Sequence, residues 1–482
     1  MGLLLLVGVG GAWVAARTRL PLQVAILGLG MLLGSDGPGG VDFDDADLAR
    51  TVGVVGLVAI LFEGGLTSPW RQIRPVLAPA ALLSTVGVAV TAGVTAAGAW
   101  LLFELDPAEA LLLGAVVGST DAAAVFATLR YTALRRRLTG LLEAESGLND
   151  PMAVALTVGL IATLTAQAAT WDDVVVEIVQ QLGIGMASGG AAAWLAGRLF
   201  ARFPLEFAAF APVASVGTAA VVFGATDVLG GSGFLAVYLV ALRIGASRSP
   251  VLRSLTAFHG GLAFLSQVVL FGVLGLLVFP SQFGPVIVPG ILLALVLALL
   301  ARPLAVWLCT LRFGFDLRER VLLGWAGLRG AVPIVLATFA LSADIEASGT
   351  IFNAVFFVVL VSAVAQGPTL EPLARRLRLT AAEPPVDAAP LEVGLIGGAE
   401  ILEYTSVSGD GTAGRRVREL GLPRAALLAV ILRGGDAVPP RGSTRIAAGD
   451  RLYVLTRRRD EEAVREVMER WAEPAPAPGD PA

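Results

Sequence analysis

The sequence predicts an all-α polytopic membrane protein of about 13 transmembrane helices, followed by a small α/β domain. Three observations predict this fold class. Hydrophobic residues make up 56% of the 482-residue chain and charged residues only 15%, against about 25% charged residues in a soluble domain. Long apolar runs recur as far as residue 370. Beyond residue 390 the pattern changes to short strands and one amphipathic helix.

The apolar runs are long enough to be read as transmembrane helices, although the first is short for a full crossing. We predict spans at residues 2–16, 20–34, 50–66, 75–103, 108–129, 138–166, 174–200, 206–228, 232–246, 256–279, 285–311, 319–343 and 349–370. Loops rich in arginine alternate with acidic loops between these spans, and only Arg50 breaks the alternation. The positive-inside rule therefore predicts a multi-pass plasma-membrane protein with its N-terminus outside and its C-terminus in the cytoplasm.

The composition also predicts the domain boundaries. Residues 380–390, "TAAEPPVDAAP", have the Pro/Ala composition of a linker. After it, "ALLAVILRGGDAV" predicts a strand, a turn and a second strand, and "DEEAVREVMERW" predicts a helix with Val464, Val467 and Trp471 on its apolar face. The predicted parts are a transmembrane domain at 1–378, a linker at 379–390, a cytoplasmic domain at 391–471 and a disordered tail at 472–482.

Several classes of site are excluded by residue counts. The chain has one cysteine, Cys309, and one histidine, His259, which excludes an intrachain disulfide and a cysteine- or histidine-rich metal cluster. We predict no bound cofactor and no enzymatic activity. The net charge of −4 is small and does not indicate a nucleic-acid partner.

Ionisable residues inside the apolar spans are the main functional signal. Such residues are costly in hydrocarbon, so they commonly mark ion or proton pathways, and the alternative is a structural ion pair or interhelical hydrogen bonding. The residues found at this depth are Glu63, Asp121, Glu145, Asp150 and Arg329.

The sixth predicted span contains "EAESGLNDP". On a helix, Ser146 and Asp150 share one face, and Glu145 and Asn149 share the adjoining face. Pro151 lacks an N–H, so the carbonyl four residues before it loses its helical donor. These are hard oxygen ligands that suit an alkali cation or a proton. Asp150 is predicted near the bilayer midplane, about 18 Å of helix from the cytoplasmic end of its span.

The fifth and twelfth predicted spans add further polar residues. In "GAVVGSTDAAAVF", the stretch Gly118–Thr120 favours an unwound segment that presents Thr120 and Asp121, as in broken transporter helices. The alternative is a buried, hydrogen-bonded aspartate in an ordinary helix contact. In "GLRGAVPIV", Arg329 requires an anion; Glu145 is the first candidate and Asp121 the second. This arginine would serve either a structural ion pair or ion handling.

Together "GSTDAAAVF", "ESGLNDPMAV" and "GLRGAVPIVLA" resemble, in order and spacing, the cation:proton antiporter superfamily. The Asn149–Asp150 pair matches its first branch, the sodium/proton exchangers, and the closest resemblance is to bacterial potassium/proton antiporters of the NhaP2 (CvrA) type. The likeness covers Leu20 to about Trp471. In the last part, "AVILRGGDAVPPRGSTRIAAGDRLYVL" resembles the RCK-C (TrkA-C) domain of potassium-conductance regulators.

The resemblance implies a homodimer with an NhaA-like fold, in which inverted repeats contain broken, crossing helices. It implies that Asp150 alternately binds a cation and a proton, and that Asn149, in place of a second aspartate, makes the exchange electroneutral. Arg329 matches an arginine that pairs with an acidic residue. The positions expected to line the ion site are Thr120, Asp121, Glu145, Ser146, Asn149 and Asp150, with Asp150, Ser146 and Thr120 as ligands of the transported K⁺ or Na⁺. A regulatory nucleotide at the cytoplasmic domain is a further implication.

Two other functions are compatible with parts of the sequence. A gated potassium channel would need a filter such as "TVGYG", but "STVGVAV" at 84–90 shares only Thr-Val-Gly with it. An organic-anion symporter would favour basic residues at the midplane, where Arg329 stands alone. The oxygen ligands by themselves do not separate potassium from sodium.

Overall fold

The computed structural model describes residues 2, 8–11, 22–68, 70–129, 134–165, 171–247, 249–380, 399–407, 409–434, 436–457 and 460–472. The chain divides into two compact units, Met1–Glu383 and Pro384–Ala482. Each unit folds around hydrophobic clusters of its own.

The first unit is a bundle of helices. The α-helices are α1 (Leu22–Leu33), α2 (Ala46–Thr67), α3 (Trp70–Ile73), α4 (Leu77–Leu82), α5 (Val88–Phe103), α6 (Pro107–Val116), α7 (Ala122–Thr128), α8 (Arg136–Thr165), α9 (Trp171–Ala201), α10 (Ala211–Val228), α11 (Gly233–Gly245), α12 (Leu252–Leu276), α13 (Ile287–Val296), α14 (Arg302–Thr310), α15 (Leu317–Trp325), α16 (Ala331–Ser342), α17 (Ser348–Val361) and α18 (Gly367–Arg376). Short 3₁₀ segments lie at Arg74–Val76, Leu205–Phe210 and Pro280–Gln282.

The helices match the predicted membrane spans in position. Every predicted span from residue 20 onward coincides with one of these helices or with several in succession. By length and composition, eight helical stretches of the described chain could cross a membrane, and four shorter apolar helices accompany them. The predicted first span, 2–16, lies mostly outside the described residues, and the total of 13 stays a prediction.

Two of the spans are broken near their middles. The first break separates α6 from α7 and contains Gly118–Thr120, which confirms the predicted unwound stretch. The second break separates α15 from α16 and ends at Gly330. The two breaks meet at a crossing point, where the Asp121 N–H donates a 2.8 Å hydrogen bond to the carbonyl of Leu328. Backbone groups that the helices leave unpaired thus partly satisfy one another at the crossing.

Both broken spans begin with a capping box. Asp106 and Glu109 form a capping box at the start of α6, and Asp316 and Glu319 form one at the start of α15. The first box follows an acidic loop and the second follows an arginine-bearing loop. By the positive-inside rule the two spans are therefore predicted to start on opposite sides of the bundle, which is the relation expected of inverted repeats.

Three long spans contain a five-residue π-helical turn. These turns are Leu83–Gly87 between α4 and α5, Leu297–Ala301 between α13 and α14, and Ser362–Gln366 between α17 and α18. π turns are rare and occur often at functional sites. Each of these turns contains or directly precedes a polar side chain that bonds to α8 or to one of the two breaks. These side chains are Ser84, Arg302 and Ser362.

The described residues of the second unit form a four-stranded antiparallel sheet with one α-helix. The strands β1 (Ala399–Thr405), β2 (Ala426–Arg433), β3 (Asp436–Val438) and β4 (Arg451–Arg457) lie in the order β1-β4-β2-β3, and α19 spans Glu461–Trp471. The predicted β2–β3 hairpin and the final helix are confirmed, with Val464, Val467 and Trp471 buried. The sequence analysis did not predict β1.

Candidate functional site

Helix α8 is attached to the first break by two polar side chains. The Ser146 hydroxyl donates to the carbonyl of Thr120 at 2.8 Å and accepts from the N–H of Ala122 at 3.1 Å. One turn along, the Asn149 side-chain amide donates to the Thr120 hydroxyl at 2.6 Å. Three of the residues predicted to line the ion site, Thr120, Ser146 and Asn149, therefore lie together at the break between α6 and α7.

Asp150 lies beside this junction and is buried, with 7% of its surface exposed. Within the described part of the chain, its Oδ1 atom has no hydrogen-bond partner. The Oδ1 atom of Asn149 and the hydroxyl of Ser119 are also buried without a partner. Buried polar atoms are normally satisfied, so unpaired oxygens need an explanation. A carboxylate, an amide oxygen and a hydroxyl are ligands that suit a transported alkali cation.

The carboxylate of Asp121 is occupied mainly by hydrogen bonds that hold α7 and α1 in place. Its Oδ1 accepts from the N–H of Ala124 at 3.0 Å and so caps α7, and its Oδ2 accepts from the side-chain amide of Gln23 in α1 at 3.1 Å. A Cβ atom on Gly330 would overlap the Asp121 carboxylate. Asp121 also interacts electrostatically with Asp150. The structure thus brings both aspartates to the crossing, and of these two Asp150 is the one with a buried oxygen that has no hydrogen-bond partner in the described chain.

Arg329 does not make the predicted ion pair. Its guanidinium donates to the carbonyls of Gly118, at 2.9 Å, and Ser119, and its N–H donates to the Ser362 hydroxyl at 3.1 Å. No carboxylate of the described chain lies within 4.0 Å of its side-chain nitrogens. The prediction that Arg329 pairs with Glu145 or Asp121 was therefore wrong. The arginine instead binds the carbonyl end of α6, where the helix dipole and free carbonyls favour a cation.

The partner of Glu145 is Arg302, which the sequence analysis missed. Both guanidinium nitrogens Nη1 and Nη2 donate to the Glu145 carboxylate, the Nη2–Oε2 bond being 2.8 Å. The two side chains are 4% and 1% exposed. Arg302 follows the Leu297–Ala301 π turn directly. The sequence did contain a signal for this residue, because Arg302 is an ionisable residue inside the predicted span 285–311.

Four other polar residues of this region were also missed. Gln23 reaches Asp121 from α1. In the Ser362–Gln366 turn, the Ser362 hydroxyl donates to the Gln366 side-chain oxygen at 2.6 Å, and the Gln366 amide donates to the Trp325 carbonyl at 3.1 Å. This turn therefore binds both ends of the second break. From the first π turn, the Ser84 hydroxyl donates to the Glu145 carbonyl at 3.0 Å.

A cavity of about 660 Å³ lies beside the part of α8 that follows Asp150. Val154 and Val158, which line it, lie one and two turns beyond Asp150 on α8. Its other walls include Arg50, Asp173, Glu177, Asp227, Phe234 and Phe339. Arg50 lies over the ring of Phe339, 4.5 Å from its centroid. The cavity wall therefore carries three acidic residues and one arginine held on an aromatic ring.

The chain matches two known families. Residues 2–376 match the family described as "Sodium/hydrogen exchanger, transmembrane". Residues 401–469 match the family described as "TrkA-C domain". The first match covers more than half of the chain, and the second covers most of the sheet and helix of the second unit.

Individual relatives agree with these matches. The chain is 37% identical to the K(+)/H(+) antiporter NhaP2 of Shewanella baltica, over 93% of this chain and 79% of that protein. It is 37% identical to the K(+)/H(+) antiporter NhaP of Alkalimonas amylolytica, over 97% of this chain and 82% of that one. The sodium proton antiporter MjNhaP1 of Methanocaldococcus jannaschii superposes with a TM-score of 0.70 at 22% identity, over 78% of this chain and 97% of that chain. This last likeness concerns the fold.

Proposed function

The chain belongs to the sodium/hydrogen exchanger family and is a membrane-embedded cation/proton antiporter with a TrkA-C domain, and we propose that it exchanges K⁺ for protons at the Asp150 carboxylate. Potassium is the favoured substrate because relatives that are 37% identical over nearly the whole chain are named K(+)/H(+) antiporters. Sodium is the alternative, since a 30% identical relative from Aphanothece halophytica, matching 67% of this chain and 64% of its own length, is named a Na(+)/H(+) antiporter.

One observation carries the assignment of the site. The buried Oδ1 atom of Asp150 has no protein partner in the described chain, and it belongs to a residue adjacent to the junction of α6, α7 and α8. Thr120, Ser146 and Asn149 supply neutral oxygens at the same junction. A site of this kind can bind a dehydrated alkali cation without committing a second full negative charge to it.

The physics of charge burial then couples the two substrates. An ionised carboxylate is costly in a low-dielectric interior unless a proton or a cation neutralises it. Both substrates need the same oxygens of Asp150, so only one is bound at a time. The empty, charged site crosses the hydrophobic barrier poorly, which prevents uncoupled leak. Because Asn149 is neutral, one cation replaces one proton, and the exchange is electroneutral.

The remaining features of the proposal concern organisation and regulation. We propose a homodimer in the plasma membrane with the C-terminal domain in the cytoplasm, in accordance with the arginine-rich loops. The TrkA-C domain would bias the equilibrium between the two access states by binding a small ligand such as a nucleotide, or by pairing with its copy in the dimer.

The test is cation-dependent proton flux in everted membrane vesicles. With wild-type protein, chlorides of K⁺ or Na⁺ should dissipate a preset pH gradient without generating a membrane voltage. Asp150→Asn should abolish this response, whereas Asp172→Asn, at an exposed aspartate, should retain it. Full activity in Asp150→Asn would refute the site. Currents far above carrier rates across a voltage-clamped bilayer would instead identify a channel.

A further inference from the structure

A second carboxylate lies on the same side of α8 as Asp150. Glu143, Gly147 and Asp150 are spaced by four and three residues, so they form one stripe of the helix. Glu143 is two turns, or about 10 Å, closer to the arginine-bearing end of α8. Val154 continues the stripe in the other direction and lines the cavity beside α8. Asp150 thus lies between that cavity and Glu143.

Tyr238 of α11 packs against the middle of this stripe. Its ring and hydroxyl lie so close to Gly147 that a Cβ atom there would overlap them. The tyrosine is 3% exposed. Its hydroxyl lies near the side chain of Ser68, at the end of α2, and within electrostatic range of Glu143 and Asp150. Tyr238 therefore separates the two carboxylates and carries a polar group between them. The Ser68 hydroxyl donates to the carbonyl of Gly64 at 2.7 Å, which leaves its oxygen able to bind a cation.

Glu143 itself is only partly satisfied. Its Oε2 atom is buried without a hydrogen-bond partner in the described chain, while the residue as a whole remains partly exposed. Among the ion pairs of the described residues, none involves Glu143. A structural carboxylate near a membrane interface normally pairs with a basic residue or extends into water. The Oε2 atom of Glu143 neither pairs with a basic residue of the described chain nor reaches water. This oxygen is therefore available to bind a cation or a proton.

We propose that Glu143, with the hydroxyls of Tyr238 and Ser68, forms a second binding site for the exchanged alkali cation, on the arginine-loop side of Asp150. This inference rests on the proposed function. A carboxylate and two hydroxyls are hard oxygen ligands of the type found at the Asp150 site. The second site raises the local concentration of the cation on the arginine-loop side of Asp150. Tyr238 lies between the two sites, so the ion passes its side chain on the way to Asp150.

The second site should affect cation binding from one face of the membrane only, because only ions arriving from the arginine-loop face reach Glu143 before Asp150. We expect Glu143→Gln to raise the apparent KM for cations added to that face by about fivefold, the effect of removing one charged contact at a partly exposed site. The apparent KM measured from the opposite face should change less than twofold. The conservative Glu143→Asp should retain most of the wild-type affinity.

The experiment uses full-length protein in everted and in right-side-out vesicles, with K⁺ and Na⁺ chlorides as probes. Tyr238→Phe keeps the ring on Gly147 and removes only the hydroxyl, so it should raise the same KM without altering protein abundance. An equal KM for wild type and Glu143→Gln at the arginine-loop face, or an equal increase at both faces, would overturn the second site. Absence of cation-dependent proton flux in the wild type would instead refute the proposed function.

Discussion

Glu145 and Arg302 are 157 residues apart in the sequence, and their side chains meet in a bidentate ion pair inside the membrane domain. Arg302 also acts electrostatically on Arg329, which holds the first break. The pair therefore joins α8, which carries Asp150, to α14, which follows a π turn. Removing one member leaves an unpaired buried charge, whereas removing both does not.

The first prediction concerns this ion pair. Arg302→Met should lower the free energy of unfolding by about 3 kcal/mol or more, because Glu145 remains charged and buried. The double variant Glu145→Leu with Arg302→Met should recover much of that loss. Thermal unfolding of the detergent-solubilised protein measures both, with Arg312→Met at an exposed position as the control. Equal melting temperatures for the single and double variants would contradict the role of the pair.

The second prediction concerns the contact between Gly330 and Asp121. In Gly330→Ala the new methyl group would overlap the Asp121 carboxylate, which must then leave its position at the start of α7. We expect the proton flux to fall at least about tenfold, since small displacements of an ion site have large effects on its function. Gly349→Ala is the matched control, because no atom lies within 4 Å of its added Cβ. Wild-type flux in Gly330→Ala would argue against the importance of Asp121.

The third prediction concerns Arg329. Arg329→Ala removes the donor from the carbonyls of Gly118 and Ser119 and should lower the free energy of unfolding by about 3 kcal/mol. Folding as well as transport should therefore suffer, which would appear as a lower melting temperature and lower abundance in the membrane. Arg318→Ala, at an exposed arginine, provides the comparison. If Arg329→Ala lost transport at unchanged stability, the residue would act on the ion rather than on the break.

The fourth prediction concerns the pH dependence of the C-terminal domain. The Asp410 carboxylate accepts hydrogen bonds from the N–H groups of Val407, Thr412 and Ala413 and from the hydroxyl of Tyr404. Burial raises the pKa of Asp410, but the hydrogen bonds from Val407, from Ala413 and from the backbone and side chain of Thr412 outweigh it and hold the pKa below its usual value. The stabilisation is therefore fully present above the usual value of about 4 and is lost as the pH falls through the lower folded pKa.

Hydrogen exchange of residues 399–472 in the full-length protein, corrected for intrinsic rates, tests this dependence. Protection should be constant between pH 7 and pH 5 and should decrease below about pH 4. Asp410→Asn should lower protection at pH 7 by about 2 kcal/mol and flatten the acid dependence. Asp436→Asn, at an exposed aspartate, should leave the profile unchanged. An unaltered acid profile in Asp410→Asn would assign the dependence to other groups.

Local sequence patterns predicted much of the fold. Apolar run lengths located the spans, and the weak helix propensity of Gly118 and its neighbours predicted the first break. Helical spacing correctly placed Ser146 and Asn149 on adjoining faces of α8. Their contacts with Thr120 are a tertiary property, because they depend on how closely α8 approaches the break.

The partners of the charged residues could not be read from the sequence. Charge alone suggested that Arg329 pairs with Glu145, whereas the crossing of the breaks places carbonyl groups beside that arginine instead. Arg302 lies in the same interior region and takes Glu145. Which of two buried arginines meets an acid depends on the rotation of each helix about its axis, and a π turn changes that rotation by one residue.

The Leu297–Ala301 turn has a consequence for how such chains are aligned and engineered. Each residue of an α-helix advances the direction of the side chains by about 100°. Deleting one residue within this turn would leave a regular helix of nearly the same composition and hydrophobicity, yet it would rotate Arg302 away from Glu145. An otherwise similar chain with a single-residue gap in this stretch would therefore lose the contact between these two positions, even where every charged side chain is retained.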